Sequence, residues 1–166
     1  MKRVAVLLIA VAIATTVFAQ GLKIAYVDLG SVFKASKETK KADEIFKGEQ
    51  AIAEKKVQDA YTALIEYGKK YQQESSFLSK EEQQKRSQEY IAKQEEFEKL
   101  RAETVKKLEQ RSRELQKPIY DSILAIVDII RKEKGYDYIL DGSMVVSGNN
   151  QYDITNMVIE RVNAGK

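Results

Sequence analysis

Over residues 39–71 the chain has no proline and only two glycines, Gly48 and Gly68, and its apolar residues keep a seven-residue beat. Phe46, Ala53, Ala60 and Tyr67 form one row. Val57, Leu64 and Tyr71 form its partner, with Gln50 in the fourth place, and Ile45 and Ile52 widen the stripe near its start. Spacings of four and three that sum to seven specify a helix with a coiled-coil-like seam. Such a stretch, at 1.5 Å per residue, reaches about 50 Å, more than a small globular core needs. The helix is expected to stop near Gln72–Ser76. Ser79-Lys80-Glu81-Glu82 then reads as a capping box opening a second helix that runs to Lys117. Its seam is Phe97, Leu100, Thr104 or Val105, Leu108 and Leu115, while Glu81 to Glu89 contains no apolar residue. Two long helices joined by a short polar link pack antiparallel. The pattern thus predicts a hairpin better packed at its root than at its tip, with give expected at residues 81–89 and at Gly68.

The flanks differ in character. Lys23 to Val27 reads as a strand broken by Gly30, with Ser31 capping a short helical turn. Pro118 suits the first turn of a third helix, reaching Lys134, whose isoleucines cover more than one face and predict burial on several sides. Gly135 ends it. Tyr136–Leu140 and Met144–Val146 read as a β-hairpin about Asp141-Gly142, and Asp153 as the cap of a final helix. The expected fold is therefore α+β and mostly helical. Residues 20–38 and 118–166 form a small β-containing base, and residues 39–117 an inserted antiparallel helical arm. A base of about 65–70 residues is small for a self-sufficient core, so oligomerisation is expected. Ile24, Tyr26, Ile126, Ile130, Ile139, Leu140, Val145 and Val146 are the candidates for buried base and subunit contact.

The first nineteen residues stand apart. Lys2 and Arg3 precede an apolar run from Val4 to Ala14, and Val17-Phe18-Ala19 provides a cleavage site before Gln20. This is the pattern of a secretory signal peptide, and the run is shorter than a spanning helix needs. Export changes the charge argument. The whole chain carries +3, but without Lys2 and Arg3 it has 26 basic against 25 acidic side chains, a net +1. Lysines and glutamates are interleaved throughout, so nucleic acid is not an expected partner. The chain has no Cys and no His, which removes the usual zinc, copper and iron ligand sets and the Cys–His and Ser–His nucleophile pairs. Glu81-Glu82 and Glu95-Glu96 are adjacent helical residues pointing in different directions, and Gly135, Gly142 and Gly148 lack nucleotide-loop spacing. Neither catalytic residues, a metal nor a cofactor is expected.

The aromatic and basic residues of the arm have two readings each. Tyr61, Tyr67, Tyr71 and Tyr90, with Phe77 and Leu78 near the tip, are candidates for adaptable contact with an apolar partner. Tyr67 and Tyr71 are also simple seam residues. Lys69-Lys70 and Lys85-Arg86 approach the tip and are candidates for contact with an acidic partner or the phosphates of membrane lipid or lipopolysaccharide. The commoner explanation of such pairs is a solvated helix face.

Lys-Ile-Ala-Tyr-Val-Asp at 23–28, the Gly-poor charged hairpin, and Tyr-Asp-Tyr-Ile-Leu-Asp at 136–141 followed by Asp153-Ile154-Thr155 resemble the Skp/OmpH family of periplasmic chaperones. The resemblance implies a homotrimer joined through a shared β-rich core, with three arms projecting like tentacles around a cavity. It further implies a periplasmic holdase that works without ATP and binds unfolded outer-membrane proteins. Familiar members are markedly basic, whereas this mature chain is near neutral, so strong electrostatic attraction to clients or lipopolysaccharide is not expected. A second reading shares the fold and the export: a structural coiled-coil spacer or tether of the cell envelope.

Overall fold

The computed structural model describes residues 21–165; the expected signal peptide and the expected cut after Ala19 lie outside them. The chain forms two compact units, one of residues up to Ser36 together with those from Asp121 onward, the other of Lys37–Tyr120.

In the first unit, strand β1 (Ile24–Val27) pairs in parallel with β2 (Tyr138–Asp141), Ile24 opposite Tyr138 and Val27 opposite Asp141. Strand alternation sends Ala25 and Val27 into the core and leaves Ile24 and Tyr26 on the other face. Helix α1 (Leu29–Ala35) follows at once. Its cap is Asp28 rather than Ser31: Asp28 Oδ1 accepts the Ser31 N–H at 2.9 Å, and the Ser31 hydroxyl donates back to Oδ2 at 2.6 Å. Asp takes the position because a carboxylate meets the orphan N–H groups and the helix dipole together, and Gly30 lies within the first turn.

The long helix α3 (Lys80–Lys134) runs through Pro118 without division, where two helices were expected. Pro118 costs it the hydrogen bond to Glu114. Its last turns bury one stripe, Ile123, Ile126 and Ile130, and leave Leu124 and Ile129 exposed. Burial on several sides is therefore not what a single chain achieves. Gly135, at φ +66, ends the helix. The Tyr136 N–H bonds to the Arg131 carbonyl at 2.9 Å, and the Lys23 ammonium caps the Lys134 carbonyl.

The expected β-hairpin does not form. After β2 the chain enters a 3-10 turn at Gly142–Met144, and Met144 and Val146 stand in solvent, 81% and 103% exposed. Rather than with a returning strand of its own, β2 pairs along one edge with β1, from the other end of the chain. Gly142 lies against that strand's end, where a Cβ would sit 3.2 Å from the Val27 carbonyl oxygen and the Asp28 nitrogen. Helix α4 (Thr155–Ala164) closes the unit. Ile154 takes the cap position expected of Asp153, whose Oδ1 instead accepts the Thr155 N–H at 2.9 Å. Val32 of α1 and Val158 of α4 are fully buried, and Asn163 donates to the Ala35 carbonyl at 3.1 Å.

In the second unit, helix α2 (Lys37–Glu74) and the first part of α3 are joined through a 3-10 turn at Ser75–Phe77. Contacts descend the two helices in opposite order: Glu49 meets Arg111, Tyr61 meets Phe97, Tyr67 meets Tyr90, and Tyr71 meets Gln83. They are antiparallel. The fold is thus the expected α+β, mostly helical, with a long helical hairpin and a small sheet. Among the described residues, no helix is long and apolar enough to cross a membrane.

Candidate functional site

The seam is real along its whole predicted length. Phe46, Gln50, Ala53, Val57, Ala60, Tyr67 and Tyr71 are half-buried and Leu64 is buried. On α3 the half-buried set includes Phe97, Leu100, Thr104, Leu108 and Leu115. Thr104, not Val105, holds the disputed place: its hydroxyl bonds to the Leu100 carbonyl at 2.7 Å, while Val105 is exposed. Ile45 and Ile52 do not widen the stripe. They are 48% and 73% exposed, because they lie a full residue step outside a seam that a two-helix hairpin can cover on one side only. Arg111 adds a fork to the Glu49 carboxylate at 2.9–3.1 Å, a polar register pin near the root.

The tip is built differently. The capping box forms: Ser79 Oγ accepts the Glu82 N–H at 3.3 Å, and Glu82 Oε2 accepts the Ser79 N–H at 3.0 Å. The Ser79 partners hold the Glu82 carboxyl below the usual carboxylate range. The turn itself is tied by Gln83, whose amide donates to the Ser75 carbonyl at 2.7 Å and the Leu78 carbonyl at 3.2 Å. Tyr71 donates to the Gln83 carbonyl at 3.3 Å, Tyr67 donates to Glu89, and Arg86 lies 3.7 Å from Glu74. The Tyr67 bond pulls the Glu89 carboxyl down and the same bond pushes the phenol up. Tyr67 and Tyr90 stack with centroids 6.5 Å apart, and Lys93 sits 5.2 Å over the Tyr67 ring. Polar contacts therefore continue the seam where apolar ones run out. Gly68 belongs to this packing, since a Cβ there would meet the Tyr90 ring at 3.0 Å. It makes room for a side chain rather than supplying give.

These contacts sort the sequence candidates. Tyr67, Tyr71, Leu78 and Tyr90 are half-buried within the hairpin, Tyr61 is partly exposed against Phe97, and Phe77 is 89% exposed at the turn. Of the basic residues, Arg86 is engaged with Glu74, Lys70 lies 3.9 Å from the same carboxylate, and Lys69 and Lys85 are exposed. Gln83, Glu74 and Glu89 were missed as site residues. A signal was present: carrying the α3 seam backward from Phe97 at its own beat lands on Tyr90, Arg86 and Gln83.

In the first unit the base candidates also divide. Ile126 and Ile130 are buried, Tyr26, Ile139 and Val145 are half-buried, and Ile24, Leu140 and Val146 are exposed. The core uses Ala25, Val27, Val32, Ile123, Ile154 and Val158 as well. A groove of about 860 Å³ lies beside β1, lined by Leu22, Ile24, Tyr26, Leu140, Val145 and Tyr152 among others.

A family model described as Outer membrane protein (OmpH-like) matches residues 23–162. The chain belongs to the OmpH-like family. That match spans both units of this OmpH-like protein. No curated protein sequence matches it significantly. Among solved structures, a proposed outer membrane chaperone (OmpH-like) from Caulobacter crescentus CB15 superposes with a TM-score of 0.79 at 15% identity, covering 90% of this chain and 92% of that one. At that identity the likeness speaks for the fold.

Proposed function

We propose that this OmpH-like protein is an exported, periplasmic, ATP-independent holdase that shelters unfolded outer-membrane proteins between the helical arms of a homotrimer. The observation that carries the reading is the family match over residues 23–162, which includes the arm as well as the base. The chaperone description of the Caulobacter protein, whose fold this chain shares, supports it. Trimerisation through the base is supported by the apolar side chains that a single copy leaves in solvent, among them Leu22, Tyr138, Leu140, Met144 and Val146. An exposed apolar set of this size, around a small core, is what a subunit interface covers. Phe77 and Tyr61 are the directly exposed client-contact candidates, and Lys69 and Lys85 are exposed cations placed to meet an acidic client or lipid phosphate weakly.

The test is light scattering as a denatured outer-membrane β-barrel protein is diluted from urea, without nucleotide, with and without the mature protein. Suppression near one trimer per client, with a soluble complex recovered, is expected. The closed polar seam at the tip favours one other reading, a spacer or tether of the envelope, because such a role wants helices joined from root to tip. Folded protein that fails to suppress scattering at several-fold excess would overturn the holdase reading and favour the spacer instead.

A further inference from the structure

The geometry points to a clasp at the arm's tip: polar contacts hold α2 against α3 there, acid or high salt releases them, and release bares Tyr67, Tyr71 and Tyr90 for an apolar segment of an unfolded chain. The clasp stands on the contacts alone; its use in presenting those rings rests on the chaperone reading.

Glu89 is the group on which release turns. From α2 it meets the Tyr67 hydroxyl; from its own helix Lys85, Arg86 and Lys93 surround it. One turn nearer the tip, Arg86 of α3 faces Glu74 of α2, which also has Lys70 at 3.9 Å. Across the gap between the helices run the Tyr67–Glu89 bond and the Arg86–Glu74 pair; Lys85 and Lys93 share α3 with Glu89, and Lys70 shares α2 with Glu74. Protonating Glu89 takes the charge out of its bond with Tyr67 and leaves Lys85, Arg86 and Lys93 without the carboxylate that offsets them. The sign follows from Glu89. Its carboxyl lies below the usual range chiefly because of Tyr67, so its stabilisation is complete above that range and is lost as pH falls through the lowered value. Salt acts in the same direction by screening the exposed pairs. No fully buried aliphatic side chain lies between residues 65 and 96 to hold the helices once these contacts go. The three rings are half-buried while the clasp is shut.

The experiment is hydrogen exchange on the mature full chain, comparing residues 67–90 with the root segments 46–60 and 97–108 in the same sample. Wild type is expected to lose tip protection relative to root as pH is taken below the usual carboxylate range, and at neutral pH in about 1 M salt. Glu89→Gln keeps the shape and removes the charge; its tip should exchange roughly fivefold faster at neutral pH, with most of the acid response gone. Gly68→Ala should also quicken tip exchange by pushing Tyr90 away. If Gly68 were a hinge, Ala would slow it, and the clasp would be overturned. So would a tip-to-root ratio that neither acid, salt nor Glu89→Gln moves. Unchanged root protection shows that each variant is folded. In the scattering assay, Glu89→Gln should capture client better than wild type. A loosened tip with unimproved capture sinks the presentation step, whereas a wild type that captures nothing sinks the chaperone reading and leaves the clasp standing.

Discussion

The base and the arm hold themselves together by different means. The base closes over side chains with almost no exposure, Val32 and Val158 on short helices and Ile123 and Ile130 on the last turns of α3. The arm has two long helices, yet among its described residues only Thr39, Ala42 and Leu64 are buried. Two helices give each side chain one neighbour, so a hairpin lives on many half-buried contacts, while a base with two strands and several helices surrounds a few residues completely. What this teaches is where each can fail. A single truncation can empty the base, whereas the arm yields by length, and its tip by charge.

The largest expected effect is in the base. Ile130→Ala leaves a cavity at a fully buried site and should cost about 3 kcal/mol in urea denaturation followed by circular dichroism. A loss under about 1 kcal/mol would mean the base is not closed around that helix. In the arm, Leu64→Ala removes its one large buried aliphatic and should cost about 2 kcal/mol, less because a two-helix contact can partly collapse. A loss equal to that of Ile130→Ala would erase the contrast between the regions. The smallest effect sharpens it: Ile52→Gln should change stability by less than about 0.5 kcal/mol, since the side chain already faces water. A clear loss would show that Ile52 is covered, by a client, by another copy or by an unseen arrangement of the arm.

The long-range errors in reading this chain share a cause. Tyr138–Asp141 carries a strand pattern and is a strand, but the Asp141-Gly142 pair suggested a local turn back on itself. The partner that wins is β1, more than a hundred residues earlier, and parallel pairing leaves no local signature. Ser31 was the expected cap of the first short helix, but Asp28 takes that place, its carboxylate accepting from both the Ser31 N–H and the Ser31 hydroxyl. By contrast Ser79 and Glu82 stand in one turn, and their reciprocal bonds follow from sequence alone. The polar tip lay between these cases. The absence of apolar residues at 81–89 was plain, but that Tyr67 would find Glu89, and Gly68 admit Tyr90, needed the two helices in register.

The sequence by itself determined the helical hairpin, its seam, its capped turn at Ser79 and the stop at Gly135, because each depends on residues within a few turns of one another. It determined the family through Lys23–Asp28, Tyr136–Asp141 and Asp153–Thr155, the stretches that meet in the sheet and its bridge. Only the tertiary structure decided which strand pairs with which, which isoleucines of α3 face their own core, and that the tip is shut by hydrogen bonds and charge. Those are contests between distant partners for the same donor, the same face or the same space, and a contest is settled only when both competitors are in place.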